Sequence, residues 1–164
     1  MAVVNEVRNI VGEVVCVGKT RDVLFKIPGI VTGAAYAAGD AVGIQFGFDV
    51  GCPSGVIHTA LLFDLDDEGI ELYLHLYKRP IVGTADNAAY APSDAEELSK
   101  VGTLDFTTFI NSGNNQSSQI SSAGIAFVCD QSYAGNLFAQ AATNGAPNIA
   151  AGNDYWIRLT ILAD

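Results

Sequence analysis

The sequence predicts an all-β fold: a jelly-roll-like β-sandwich carrying one short surface helix. Three observations lead there. Apolar residues recur at every second position in several segments, the mark of strands with one buried face. Seventeen glycines, with Pro28-Gly29, Ala38-Gly39-Asp40 and Asn144-Gly145 among the turns, cut the chain into short pieces, as in sandwiches and barrels. A helix-start signature stands out in one place. At 164 residues the chain can bury a single core without disulfides or metal.

In the first seventeen residues, Val3, Val7, Ile10, Val14 and Val17 have the spacing of a helical seam. The segment is nevertheless valine-rich and broken by Gly12, which favours an extended backbone. Residues 1–20 are therefore expected to form an extended N-terminal arm ahead of a single domain spanning 21–164. Such an arm finds its partner strand late, with a neighbouring subunit as one source of it.

Strands are expected over 22–27 and 41–48. Further on, Ile57, Thr59, Leu61, Phe63 and Leu65 fall on one face, with His58, Ala60, Leu62 and Asp64 on the other. Ile70, Leu72, Leu74 and Leu76 then alternate with Glu71, Tyr73, His75 and Tyr77. Two alternating runs joined by Asp66-Asp67-Glu68-Gly69 predict a β-hairpin at the centre of the core. Burying the second leucine row contributes roughly 6–12 kcal/mol before entropy is subtracted.

"PSDAEELSK", residues 92–100, places Ser93 as N-cap with Glu96 three positions on, a capping-box arrangement. Asp94, Glu96 and Glu97 in the first turn and Lys100 in the last match the helix dipole, predicting two turns on the surface. Strands are expected again over 104–110, 120–129 and 136–142. The stretch 111–124 is expected to be an exposed loop or a weak polar strand. In the final strand Tyr155, Ile157, Leu159 and Ile161 alternate with Trp156, Arg158, Thr160 and Leu162, tying the end of the chain into a sheet.

Composition narrows the function. Hydrophobic residues make up 49% of the chain and charged residues 16%, well under the roughly 25% of an ordinary soluble domain. So few charges imply apolar and small-polar surface that another protein covers. The formal charge of −10, with basic residues scattered, argues against nucleic acid and anionic membrane as partners. Cys16, Cys52 and Cys129 lie far apart without metal-ligand spacing, and are expected to be buried free thiols of a protein made in a reducing cytoplasm. The N-terminus lacks the basic start and apolar run of a signal peptide, and no apolar run approaches the roughly 20 residues that span a bilayer.

Asp64, Asp66, Glu68 and Gly69 reproduce the opening of an EF-hand calcium loop. Its twelfth position would be His75 where a bidentate carboxylate is required, and both flanks read as strands. The acids are therefore expected to be a solvated turn with ordinary pKa values; a loose cation site at Asp64, Asp66 and Glu68 is the weaker alternative. Cys52, Ser54 and His58 lie close in sequence without a nucleophile elbow. His58 and His75 are placed to meet across the expected hairpin, as strand histidines at a protein contact. No phosphate-binding loop, dinucleotide fingerprint or zinc-protease motif is present. No enzyme activity, catalytic residue, metal or cofactor is expected. Tyr73, His75 and Tyr77 share a face opposite the leucines, suited to a protein interface or to stacking on sugar rings; a duller reading makes it a second packed face.

Several segments resemble a known lineage. "YAAGDAVG" (36–43), "DLDDEG" (64–69), "LYLHLYKRP" (72–80), "DNAAYAPSDAEELSKVGTLDF" (86–106) and "DYWIRLTILAD" (154–164) occur in that order. They resemble virion structural proteins of tailed bacteriophages, of the head decoration or cement type, over about the last 130 residues. These motifs are structural, so the resemblance carries over no functional residue. It implies a non-enzymatic protein on the outer surface of the head, made in the bacterial cytoplasm, with the major capsid protein and further copies of itself (dimer or trimer) as partners. The expected contacts are Val3, Val7 and Ile10 of the arm and Tyr73, His75 and Tyr77. The alternative is a carbohydrate-binding or receptor-adhesion module of the virion.

Overall fold

Strands with one apolar face satisfy it by stacking two sheets face to face. That is the arrangement in the structure, a computed structural model that describes residues 19–31, 33, 35–149 and 155–164, and the backbone of 6–8 and 14–16. β1 (Glu6–Arg8) and β2 (Val14–Cys16) pair with each other, Val7 opposite Val15. Then follow β3 (Thr20–Lys26), β4 (Ala41–Asp49), β5 (Ser54–Asp64), β6 (Leu72–Tyr77), α1 (Asp94–Glu97) and β7 (Lys100–Phe106). The chain continues with β8 (Phe109–Asn111), β9 (Gln116–Ile120), β10 (Ile125–Val128), a 3-10 turn at Gln131–Tyr133, β11 (Asn136–Thr143) and β12 (Tyr155–Ala163).

The larger sheet runs β3-β12-β5-β9-β8, with β10 continuing the line of β9 along β5; the smaller runs β4-β11-β6-β7. The antiparallel pairings are nested: β6 with β7, β5 with β9 and β10, β4 with β11, and β3 with β12 outermost. The chain is thus one long hairpin rolled up so that successive rungs fall in opposite sheets, which is a jelly roll. Tyr155, Ile157, Leu159 and Ile161 of β12 face inward and are buried, as their alternation predicts. Leu72, Leu74 and Leu76 of β6 meet them from the other sheet, each fully buried, while Ile70 lies outside the strand and is partly exposed. Cys52 and Cys129 are buried free thiols.

The structure corrects four expectations. β5 and β6 are not a hairpin: they lie in opposite sheets, so the acidic stretch is a crossover. An apolar face is equally satisfied by facing a neighbour across the core as by lying beside it. Within β5 the alternation changes phase. Thr59 pairs with Thr160 but Ile57 pairs with Ile161, which leaves His58 as the extra residue of a bulge. Ile57, Ala60, Leu62 and Asp64 are consequently the buried set.

The helix is a single turn, not two. The Ser93 N–H and hydroxyl both donate to the Glu96 carboxylate at 2.7 Å. Ser99 then ends the turn by donating its N–H and hydroxyl to the Glu96 carbonyl, at 2.8 and 2.7 Å. Lys100 therefore opens β7 instead of closing the helix, its ammonium 3.3 Å from Glu97. Finally, 104–110 and 120–129 each hold a break, and the weak polar strand within 111–124 is β9.

Candidate functional site

Tyr73, His75 and Tyr77 do share the face of β6 turned away from the leucines. The chain covers that face itself, with the strap of residues 78–99. Gln140 of β11, opposite His75 and fully buried, holds the strap by its side-chain amide. Its Nε2 donates to the Thr84 carbonyl at 2.5 Å, and its Oε1 accepts from the Thr84 N–H at 2.9 Å. Tyr90 of the strap stacks on His75 and hydrogen-bonds the Tyr77 hydroxyl. His75 Nδ1 lies 3.1 Å from Thr103 Oγ1. Burial drives the imidazole pKa down to about 4, helped by the Lys100 charge. Tyr77 is completely buried, so it cannot serve as the interface residue expected of it, while Tyr73 and His75 keep partial access on this face. The expected open aromatic face is a packed seam, the duller of the readings weighed.

Asp86 fastens the strap's far end. Its carboxylate accepts from the Val31 N–H (2.8 Å), the Gly43 N–H (2.6 Å) and the Tyr36 hydroxyl (2.8 Å). Burial and this carboxylate raise the Tyr36 pKa. Neither anchor, Gln140 nor Asp86, was visible to sequence reasoning, because each side chain bonds backbone groups more than 40 positions away.

The acidic crossover is less exposed than the sequence predicts. Asp64 is fully buried at the end of β5, and its carboxylate accepts from the N–H groups of Asp66 (3.1 Å) and Gly69 (2.8 Å). Desolvation raises its pKa, and those two N–H groups oppose the rise. This corrects the solvated-turn expectation: Asp64 is a buried clasp that shapes the crossover. Glu68 accepts from the Asn148 N–H at 3.1 Å, and Asp67, at φ 60°, accepts from Asn111 Nδ2. Among the described residues, no three His, Cys, Asp or Glu side chains stand where they could share a metal ion.

His58 and His75 do not meet, since their strands are in different sheets. Cys52 is buried, Ser54 partly exposed and His58 exposed. Val7 lies in β1; its side chain, Val3 and Ile10 fall outside the described residues.

The outer face of the larger sheet is different. Register places Lys26, Trp156, Phe63, Ser117 and Ile110 in one row across it, and Leu24, Arg158, Leu61 and Gln119 in the next. Leu24 is 52% exposed and Ile110 64%; Leu61, Phe63, Trp156 and Leu162 are partly exposed. The Arg158 guanidinium sits 5.4 Å from the centre of the Phe63 ring. Among the described residues no strap or helix covers these rows. The signal was present in β12, whose second face reads Trp156, Arg158, Thr160, Leu162, but alternation alone does not say which second face stays open.

Among the described residues no helix is long and apolar enough to cross a membrane. No family model and no curated protein matches the chain. Among solved structures it is similar to a chain in the structure of infectious bursal disease virus, Gx strain, at 11% identity and a TM-score of 0.36. The likeness covers 97% of this chain and 36% of that one, so this chain spans little more than a third of its neighbour's length. A TM-score of that size assigns neither ancestry nor function.

Proposed function

We propose that the protein is a non-enzymatic building element of a virus particle: a cement that binds the outside of a tailed-phage head and bridges its major capsid protein subunits. The observation that carries this reading is the open apolar face of Leu24, Leu61, Phe63, Trp156 and Ile110 on a chain with only 16% charged residues. Exposed and half-exposed apolar side chains gathered on one sheet face in this way mark a protein contact. A net charge of −10 suits the outside of a shell, away from the packaged nucleic acid. Repetition over a symmetric lattice multiplies a modest contact into firm binding, and the arm of residues 1–20, with Val3, Val7 and Ile10, would add a second attachment point.

Quantitative mass spectrometry of purified particles tests the reading, with hundreds of copies per particle expected. Leu61→Glu combined with Trp156→Glu should leave the fold intact and abolish rebinding to particles stripped of the protein. Absence from finished particles, or rebinding indifferent to both changes, would overturn it.

One observation favours a second reading. Trp156 lies on the open face between Phe63 and Lys26, an aromatic platform with polar neighbours that a sugar ring could stack on. Saturable glycan binding lost in Trp156→Ala would move the function to carbohydrate recognition or receptor adhesion.

A further inference from the structure

Two crossovers between the sheets meet at one end of the sandwich. Residues 50–53 carry the chain from β4 of the smaller sheet to β5 of the larger, and residues 129–135 return it from β10 to β11. Backbone bonds tie the two together. The Val50 and Gly51 N–H groups both donate to the Gly135 carbonyl, at 2.8 and 3.2 Å, and the Cys129 N–H donates to the Pro53 carbonyl at 2.8 Å. Each crossover brings one cysteine to this junction.

Both thiols belong to the same core. Cys52 is 6% exposed and Cys129 7%. The Cys52 thiol donates to the Val50 carbonyl at 3.5 Å, and the Cys129 thiol to the carbonyl of Cys52 itself at 3.6 Å. The register of β5 with β10, continued one step beyond Val128 and Ser54, sets Cys129 opposite Pro53 and so one residue from Cys52. The bend at 51–53 leaves Pro53 exposed and Cys52 buried, so it is Cys52 that shares the inner side with Cys129. Residues opposite each other in an antiparallel ladder have α-carbons about 4.5–5.5 Å apart, and a disulfide spans about 4.4–6.8 Å.

We infer that Cys52 and Cys129 are a disulfide-forming pair that closes when the protein passes from reducing to oxidising surroundings. The oxidant is a small disulfide of the glutathione class. The thiolate of one cysteine attacks a sulfur of the reagent, breaking its S–S bond and releasing one reagent thiol. The second cysteine's thiolate then attacks the protein sulfur of that mixed disulfide and expels the other reagent thiol. Two S–H bonds are lost and one S–S bond forms, while the reagent leaves as two thiols carrying both hydrogens. Cys52 is the point of entry, because the groove lined by Arg21, Asp49, Val50 and Gly51 runs to the residue before it. Burial raises both thiol pKa values, and the Arg21 charge opposes the rise at Cys52, so closure is slow and quickens as pH climbs. The bond joins residues 77 positions apart and fastens the two crossovers to each other. This pairing does not rest on the shell reading, because it is a property of the purified protein.

Full-length protein purified under reductant and then incubated with oxidised glutathione at alkaline pH tests it. Thiols titrated after unfolding should fall from three to one, and the intact mass by two hydrogens, with Cys52 and Cys129 in the linked peptides. Tm should rise by about 10 °C and return on reduction. Cys129→Ala should stop at a mixed disulfide on Cys52. Three thiols persisting even in urea just below the unfolding transition, where the crossovers open, would overturn the proposal. So would a link to Cys16 or between two copies, a mixed disulfide that persists in the parent, or a Tm lowered by closure.

Discussion

The imidazole of His75 lies flat against the phenol ring of Tyr90, their centres 4.5 Å apart and their planes 8° from parallel. One ring belongs to β6 and the other to the strap, so this stack is where the sheet and its cover meet. A charged imidazole would be poorly solvated there.

His75 should therefore give the protein a pH-dependent stability. Its pKa is about 4 in the folded protein against 6.5 when unfolded. The folded state holds the neutral form, so its contribution is present above pH 6.5 and is lost as pH falls towards 4. That loss is at most about 3 kcal/mol. Urea melts between those pH values should show it, and His75→Phe, which keeps a ring in the stack, should flatten the profile over that window.

Gln140→Leu should cost about 2–4 kcal/mol, because it strands the Thr84 N–H and C=O beneath the strap. Tyr90→Phe, which removes only the hydroxyl bonded to Tyr77, should cost nearer 1 kcal/mol. Hydrogen exchange should show residues 81–91 loosening in the first variant and not in the second.

The crossover separates a structural role from a cation site. Asp64→Ala should lose about 2–3 kcal/mol by leaving the Asp66 and Gly69 N–H groups without their acceptor, and Asp64→Asn less, since an amide oxygen still accepts. Calcium at about 1 mM should leave Tm unchanged; a rise of several degrees would establish a cation site. Burial raises the Asp64 pKa, so the ionised form works against folding, and that cost shrinks as pH falls through the folded value towards 3.8, the reverse of His75.

Gly43→Ala should be among the most damaging small changes. Its φ of 71° disfavours any side chain, and a Cβ there would meet the Pro28 carbonyl at 2.3 Å. A loss of about 2–4 kcal/mol is expected in urea melts, with the Asp86 clamp on Gly43 disturbed as well.

Alternation was enough to place β3, β4, β11 and β12 and to name the inward residues of β6 and β12, because a period of two directly reports which side chains share a face. It was enough, too, to mark Ser93 and Glu96 as a helix start, since that bond is local. Partner choice was another matter. β5 and β6 are neighbours in sequence, yet one pairs with β12, β9 and β10 and the other with β11 and β7, a decision made by the packing of the whole roll. The bulge at His58 is set by pairing with a strand a hundred positions away, and the phase of β5 follows from it. Both sheets carry aromatic residues on their outer faces. Which outer face is closed depends on Gln140, Asp86 and Tyr90 gripping a strap from afar, so the sequence by itself determined the faces of β6 and β12, and only the tertiary structure decided the phase of β5 and that Tyr77 is sealed while Trp156 keeps partial access. The physical reason is that side-chain direction is a property of neighbouring residues, whereas strand pairing and coverage are set by contacts between distant ones.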